Sequence, residues 1–304
     1  MCSLRTLFSV VMSLLLVASP AMAMTSTNFQ INWDTVSAGG ADFGTSANFV
    51  THDTIGGEAA GQGSSANYRL SAGYRLPETA NLLGYEVRAN AASPTPTWTV
   101  FDGVDEVTVS SVAGFAIGDL IAMVENVGLT QEVAVGRITA INALVITVDD
   151  FQGDTAGISL IAAGGDDRVY RLSSATLALG NVSGATVATG IVGTNVITSV
   201  PTGYSLYVHG NHLMQSGLNT IPEVLDGSVT LGSEEFGASI TGPGAVNPGT
   251  DLGVTTTMRL VQTNGAATGG IGDRLGFSYK LSVATSTACG AYSQDMYYTI
   301  VANY

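Results

Sequence analysis

The sequence predicts an all-β fold built from several small domains in series. Three observations support this prediction: the chain contains 38 glycines, only 11% of its residues are charged, and short apolar–polar alternations bounded by Gly, Asn, Asp and Ser recur along it. After residue 23 the chain lacks long apolar stripes with the helical period. In chain order we expect a short β-repeat region, a small central β-barrel-like domain and a C-terminal β-sandwich.

Residues 1–23 have the features of a secretory signal peptide. Arg5 supplies a positive charge, an apolar run follows from Leu7 to Val17, and the segment ends in the small residues Ala21 and Ala23. We therefore expect cleavage after Ala23. An uncleaved anchor helix is the alternative, although the run is short for a membrane span. No later apolar run approaches the length of a membrane helix.

The predicted repeat region, residues 24–92, contains one short pattern three times. A serine, a small residue, an asparagine and an aromatic recur around Asn28, Asn48 and Asn67, a period of about 20 residues. Glycine-rich segments between the copies suit tight turns. We interpret each asparagine as a turn residue, and we expect the aromatic and the residue two positions later to share one strand face.

The predicted central domain, residues 97–163, follows a stiff linker from Ser93 to Pro96. Several short strands are expected here, including two joined through Asn142 and Ala143. The expected strand-forming segments are 107–109, 114–121 (a Gly-Asp turn leading into a strand), 133–141 and 144–148. Four or five strands of this length indicate a small closed or half-closed barrel.

The predicted β-sandwich, residues 164–304, contains three clear alternations, at 204–208, 277–283 and 296–304. In the second of these, Lys280 alternates with Tyr279 and Leu281, so we expect it on the outward face. Lys280 is the only lysine in the chain. An outward lysine could not reach a buried acid, which argues against an isopeptide cross-link. The last strand is expected to be an exposed edge that can add to a neighbouring sheet.

The charge balance excludes one class of partner. The formal net charge is −14, and a chain this acidic cannot neutralise a phosphate backbone, so we expect no nucleic-acid partner. Calcium remains open, because acidic secreted β-proteins often bind it. However, the acidic residues of the central region do not have the spacing of a calcium loop. They are Asp149, Asp150, Asp154, Asp166 and Asp167.

Histidines and cysteines give no convincing catalytic or metal site. His209 and His212 are close in sequence, but they flank a Gly-Asn turn, and we interpret them as solvated rather than as metal ligands. His52 beside Asp53 resembles half of a catalytic triad without an identifiable nucleophile. After signal cleavage Cys289 is the one remaining cysteine, interpreted as a small apolar residue near a strand start, with an intermolecular bridge or a reactive thiol as alternatives.

Neighbouring carboxylates occur twice, as Glu234-Glu235 and Asp166-Asp167. Adjacent residues of a strand point to opposite faces, so neither pair can share a proton as a glycosidase pair does. We interpret both pairs as solvated turns. Nucleotide-binding glycine loops are missing too, and the glycines are spread as turn residues. The sequence thus predicts a non-enzymatic protein with no catalytic, cofactor-binding or metal residues.

Both ends of the chain resemble known secreted proteins. The Ser-x-Asn-Tyr-x-Leu copies ending at Ala72 to Arg75, behind a signal peptide, resemble the N-termini of uncharacterised secreted surface proteins of uncultivated small-genome bacteria. The segment from Gly290 to Ile300 is similar to the closing hairpin of cell-surface β-sandwich domains, including spore-coat-protein-U-like and pilin-like domains. These resemblances imply an extracellular or envelope structural role and bring no catalytic residues.

We therefore expect a secreted, non-catalytic structural or adhesive protein of the cell surface, with itself or other envelope proteins as partners. Two alternatives remain. Alternation ending in the aromatic Tyr304 is typical of outer-membrane β-barrel strands. Aromatic residues such as Trp33, Trp98 and Tyr207, if exposed, would suit a secreted glycan-binding protein.

Overall fold

The computed structural model describes residues 82–303 and the backbone of four short strands at 44–45, 50–51, 61–64 and 69–72. The chain divides into two compact units, Met1–Ala80 and Asn81–Tyr304. Every element in the described residues is a strand, which confirms the all-β prediction. Within that part of the chain, no helix is present that has the length and apolar character to cross a membrane.

The described strands of the first unit form two antiparallel pairs. They are β1 (Gly44–Thr45) paired with β2 (Val50–Thr51), and β3 (Gly61–Ser64) paired with β4 (Arg69–Ala72). Thr45 pairs with Val50, and Ser64 pairs with Arg69. In the sequence, the second and third copies of the motif, 46–49 and 65–68, come between the paired strands. All three copies, including the one at 26–29, lie outside the described residues, so the turn interpretation stays a prediction.

The second unit contains the strands β5 to β21. In chain order they are β5 (Leu83–Asn90), β6 (Trp98–Phe101), β7 (Glu106–Val109), β8 (Leu120–Glu125), β9 (Glu132–Asn142), β10 (Val145–Val148), β11 (Gln152–Gly153), β12 (Arg168–Ser174), β13 (Ala188–Thr198), β14 (Tyr204–Gly210), β15 (Met214–Ser216), β16 (Asn219–Ile221), β17 (Glu235–Thr241), β18 (Leu252–Gly253), β19 (Arg259–Asn264), β20 (Asp273–Ser282) and β21 (Met296–Ala302).

One large antiparallel sheet runs through most of this unit. Its strand order is β18-β17-β20-β13-β5-β12-β8-β9-β10-β7-β6, with β11 also on β9. A smaller sheet has the order β19-β14-β21, and β15 and β16 form a separate hairpin. By sequence β5 belongs to the predicted repeat region, yet it pairs with β12 and β13. Strand pairing thus runs across the predicted boundaries near residues 92 and 163.

We call strands β6 to β10 and β12 the curl. Their two ends approach each other, because Thr97, just before β6, forms an isolated bridge with Arg168 of β12. No described sheet closes into a barrel, so the predicted barrel-like unit is present only in a half-closed form. Its interior is a packed cluster that includes Trp98, Phe101 and Ile146. Strands β9 and β10 are joined at Asn142 and Ala143, as predicted. The backbone φ of Ala143 is 51°, a value that few residues other than glycine adopt.

We call the second layered region the sandwich: β5, β13, β17, β18 and β20 face the small sheet β19-β14-β21. The predicted alternation at 204–208 is confirmed, since Tyr204, Leu206 and Val208 are buried and pack in one core with Phe277 and Tyr279 of β20. Alternate residues of an antiparallel strand face opposite sides, so this pattern leaves the other side of the small sheet outward.

Strand β20 departs from its predicted pattern, because both of its faces are buried. One face lies in the sandwich core. The other face of β20 contacts the curl near the start of β20. A Cβ on Gly276 of this face would lie 2.9 Å from Cγ1 of Val133 in β9. The expectation that Ser278, Lys280 and Ser282 face outward is wrong, since all three are at most 7% exposed. Alternation distinguishes two strand faces but does not say what packs on each.

Candidate functional site

The free edge of the small sheet is formed by β21. This strand pairs with β14 on one side only, whereas β14 has neighbours on both sides. An edge strand presents backbone N–H and C=O groups that no strand satisfies, and such groups can pair with another chain. The exposed edge predicted for the C-terminal strand is therefore present.

The two faces of β21 have different environments. Met296, Tyr298 and Ile300 pack against the sandwich core. Tyr297 and Val301 point the other way and are 49% and 47% exposed. The predicted alternation of this strand is confirmed, and its outward side carries large apolar groups that the fold leaves uncovered.

The outward side of the small sheet continues from β21 onto its neighbours, and we call it the outer face. In the strand register Ser205, Tyr207 and His209 of β14 lie opposite Val301, Thr299 and Tyr297. On the other side, Leu260 and Thr263 of β19 lie opposite Tyr207 and Ser205. None of these positions carries a carboxylate, lysine or arginine. The outer face consists of Ser205, Tyr207, His209, Leu260, Thr263, Tyr297, Thr299 and Val301.

The His209 ring is part of this surface. It stacks on the Tyr297 ring with centroids 5.1 Å apart and planes at 21°. Its Nδ1 is buried and has no hydrogen-bond partner in the described residues. His212 lies beyond the end of β14, and its Nδ1 is 2.5 Å from the Leu213 carbonyl oxygen. Both histidine residues are partly exposed, and the prediction that they are solvated rather than metal ligands stays a prediction.

The aromatic residues considered as glycan contacts have different positions. Trp98 is 1% exposed and donates its Nε1–H to the Val124 carbonyl at 2.9 Å. It belongs to the curl core and cannot contact a ligand at the surface. Tyr207 is half-buried on the outer face. Trp33 lies outside the described residues.

A buried ion pair joins the curl to the sandwich. Arg274 of β20 donates from Nη1 to Asp149 Oδ1 at 2.6 Å and from Nη2 to Asp149 Oδ2 at 2.5 Å. The carbonyl oxygens of Asp150 and Ile271 accept further hydrogen bonds from the same guanidinium. Burial alone would raise the pKa of Asp149, but the hydrogen bonds and positive charge of Arg274 outweigh burial and lower it. Paired planar groups of this kind are the strongest ion pairs in proteins.

The remaining acidic candidates are held by hydrogen bonds within the protein. Asp154 accepts from the Thr241 hydroxyl at 2.6 Å. Asp167 is fully buried and accepts from the N–H groups of Asn126 and Gly164, both at 3.0 Å. The expectation of a solvated turn is therefore wrong for Asp167. Among the described residues, no group of three or more His, Cys, Asp or Glu side chains is placed to hold a metal ion.

The Glu234-Glu235 pair also differs from a solvated turn. Glu235 begins β17 and accepts the Thr230 backbone N–H at 2.6 Å, and Glu234 accepts the Thr287 hydroxyl. Both carboxylates thus anchor neighbouring loops. His52 and Asp53, the half-triad considered in the sequence, lie outside the described residues.

A second buried ion pair involves the only lysine. Lys280 Nζ lies 2.8 Å from Asp251 Oδ1, and the two side chains are only 9% and 5% exposed. The Val229 backbone N–H donates to the other oxygen, Asp251 Oδ2, at 2.8 Å. Sequence alternation placed Lys280 outward and missed this pair, because the loop that covers this face of β20 cannot be read from β20 itself.

A cavity of 1280 Å³ opens between the layers of the sandwich. Its lining combines Val87 and Ala89 of β5 with the loop at 174–184 and the connection at 283–295. The hydroxyls of Tyr279 and Tyr298, which also line it, are 2.6 Å apart. This apolar space with a few polar groups is a feature that no sequence pattern had indicated.

Cys289 lies in the lining of this cavity. It is exposed and free, and it belongs to the connection between β20 and β21. The interpretation of Cys289 as a small apolar residue near a strand start stays a prediction. The alternatives for this thiol, an intermolecular bridge or a reactive group, are left as predictions.

Comparison with known proteins adds no relationship to this picture. No family model matches the chain, and neither does any curated protein or solved structure. What the described residues define is an all-β protein with a sandwich-like region, a free edge strand and an uncharged outer face.

Proposed function

We propose that this protein is a secreted, non-catalytic structural or adhesive component of the cell surface that self-associates through β21 and the outer face. The observation that carries the proposal is the free edge of β21 beside an uncharged, partly apolar face. A second copy of the chain is the partner to which we commit. Edge-to-edge pairing extends a sheet through main-chain hydrogen bonds, and adjacent side chains add apolar contact.

The charge distribution favours this location for self-association. The chain carries a formal net charge of −14, so most contacts between two copies bring like charges together. On the outer face, the positions that line β14, β19 and β21 carry no carboxylate, lysine or arginine. Contact there buries Tyr297 and Val301, which are about half exposed in the single chain, without desolvating a fixed charge.

Sedimentation velocity on the mature chain over a range of concentrations tests the proposal. We expect concentration-dependent association that strengthens with added salt, because salt screens the repulsion between acidic copies. Val301→Glu should weaken it by roughly tenfold or more, which corresponds to about 1.4 kcal/mol. A strictly monomeric chain at every concentration would refute self-association.

Val104→Glu is the matched control. Val104 is also an exposed valine, 65% accessible, but it lies in the β6–β7 turn of the curl rather than in the small sheet. This variant adds the same charge and should associate like the unmodified chain. Equal weakening by both variants would mean that net charge, and not the outer face, controls association.

The cellular location needs its own experiment. Determination of the first residue of the mature protein checks cleavage after Ala23, and an intact Met1 would contradict it. Cell fractionation with electron microscopy should place the protein outside the cell, released by mild denaturant. Carbonate-resistant membrane pelleting and a heat-dependent mobility shift in detergent would instead favour the outer-membrane alternative.

A further inference from the structure

The Lys280–Asp251 pair has the arrangement of two groups poised to react with each other. We propose that the two side chains form an intramolecular isopeptide bond, an amide between Lys280 Nζ and Asp251 Cγ, after the chain has folded. The inference rests on this buried pair alone and does not depend on self-association. It would add a covalent link between the central strand β20 and the segment that leads into β18.

The fold places the two groups across an intervening strand. Lys280 lies opposite Gly237 of β17, and Gly237 lies opposite Gly253 of β18. Opposed residues of antiparallel strands share a face, and neither glycine has a side chain between the lysine and Asp251. The Asp251 backbone is itself fixed, since its N–H donates to the Gly227 carbonyl at 2.9 Å. The separation of 2.8 Å is thus set by two anchored strands.

Lys280 differs from Arg274, the other buried cation of β20, in the number of hydrogen-bond acceptors around it. Both side chains lie on β20 and are almost completely buried. Arg274 has acceptors on two carboxylate oxygens and two carbonyls. A lysine ammonium has three protons to donate, yet in the described residues Lys280 has one acceptor, Asp251 Oδ1. A buried ammonium with too few acceptors is unfavourable. Transfer of its proton to the carboxylate gives a neutral amine and a neutral carboxyl group.

That neutral pair can condense without a further reagent. The Nζ lone pair attacks Asp251 Cγ, forming the C–N bond, and negative charge develops on Oδ2. The Val229 N–H already donates to Oδ2 at 2.8 Å, so it stabilises that charge. Oδ1, which carries the transferred proton, then leaves with a second proton from Nζ as one molecule of water. One C–N bond forms, one C–O bond breaks, and nothing is oxidised or reduced.

Intact mass is the first test. The mature chain should be lighter than its sequence mass by one water molecule. Asp251→Ala and Lys280→Met should each have the mass of their own sequence. A sequence mass for the unmodified chain would overturn the proposal. Loss of water that persists in either variant would also overturn it, because the modification would then lie elsewhere.

The single lysine provides a second test that does not require any variant to fold. A protease that cleaves after lysine should cut the denatured chain once, after Lys280. An amide at Nζ blocks this cleavage, so the denatured unmodified chain should stay whole, whereas denatured Asp251→Ala should give two fragments. Cleavage of the denatured unmodified chain at Lys280 would contradict the cross-link.

Arg88→Lys supplies the control for protease activity. Arg88 lies on β5, which is separated from β18 by β17, β20 and β13 in the sheet order, and its side chain is 47% exposed. The denatured variant should be cut after position 88 and remain uncut after Lys280. Cleavage at both positions would overturn the proposal.

Discussion

The curl and the sandwich share one continuous sheet, but their hydrophobic cores differ in how completely they are enclosed. In the curl, no member of the buried cluster is more than 5% exposed, and the Trp98 ring nitrogen finds its partner inside. The sandwich core is larger, yet it opens into a cavity of 1280 Å³ and carries an uncovered sheet face and a free edge strand.

The two regions also differ in the large side chains that they leave at the surface. The curl buries Trp98 and Phe101 in its core, but it also leaves Val100, Val104 and Leu144 exposed. The sandwich leaves Tyr297 and Val301 about half exposed on its free edge strand. Both regions therefore expose apolar side chains, and the free edge strand β21 is the feature that distinguishes the sandwich.

The largest expected loss of stability follows removal of the Arg274–Asp149 ion pair, which joins the two regions. Arg274→Met leaves Asp149 buried without its partner, and we expect a loss of about 3–5 kcal/mol in the free energy of unfolding. Arg88→Met removes a surface contact with Glu86, where the side chains are 47% and 32% exposed, and should cost at most about 1 kcal/mol. Urea denaturation measures both. Similar losses would mean that the junction is not a special point of the fold.

Two matched truncations compare the cores directly. Ile146 is completely buried in the curl, whereas Leu281 borders the sandwich cavity. Substitution of such residues by alanine costs about 2–5 kcal/mol. We expect Ile146→Ala near the top of that range and Leu281→Ala near the bottom, because Leu281 already lacks neighbours on one side. Equal losses by urea denaturation would show that the cavity is filled or collapsed in solution.

Alkaline pH should weaken the sandwich before the curl. Burial raises the pKa of Tyr204, Tyr279 and Tyr298, all in the sandwich, and also that of Tyr170 in β12 of the curl. A tyrosine with a raised folded pKa contributes stability that is present below about pH 10, its unfolded value, and lost as the pH rises further.

Two spectroscopic signals separate the regions in that titration. The tyrosinate absorbance that develops after the exposed tyrosines have ionised reports the buried tyrosines, most of which lie in the sandwich. Trp98 fluorescence reports the curl in a Trp33→Phe background. Tyrosinate formation should precede the fluorescence change. If the Trp98 signal changed first, the curl would be the weaker region.

Acid should weaken the Arg274–Asp149 ion pair that joins the curl to the sandwich. Because the pKa of Asp149 is lowered in the folded chain, its contribution is present above about pH 4, the unfolded value, and is lost as the pH falls through the folded pKa. Asp149→Asn should therefore be less stable at neutral pH and lose less stability between neutral and acid pH. A pH profile of thermal unfolding that is parallel in both chains would contradict this assignment.

The smallest expected effect on stability is at the outer face. Val301→Thr keeps a β-branched side chain at an exposed strand position, so the free energy of unfolding should change by no more than about 0.5 kcal/mol. Association should still weaken, since apolar surface is lost from the proposed contact. A large loss of stability would show that Val301 has a packing role within the chain.

The sequence was informative wherever structure is local. Alternation identified the inward and outward residues of β14 and β21, and the turn chemistry of Asn142 and Ala143 located the β9–β10 hairpin. Each of these features depends on contacts between residues near one another in the chain.

Tertiary structure alone decided what covers each face. Lys280 and Trp98 were placed or considered at the surface because a period of two residues defines faces without saying which is buried. The Arg274–Asp149 pair joins positions 125 residues apart, and the Lys280–Asp251 pair depends on a loop that folds over β20. The sequence by itself determined an acidic all-β chain and its strand faces. Long-range packing decided which faces became interior, which charges met and which edge stayed free, because those outcomes depend on partners that local patterns do not encode.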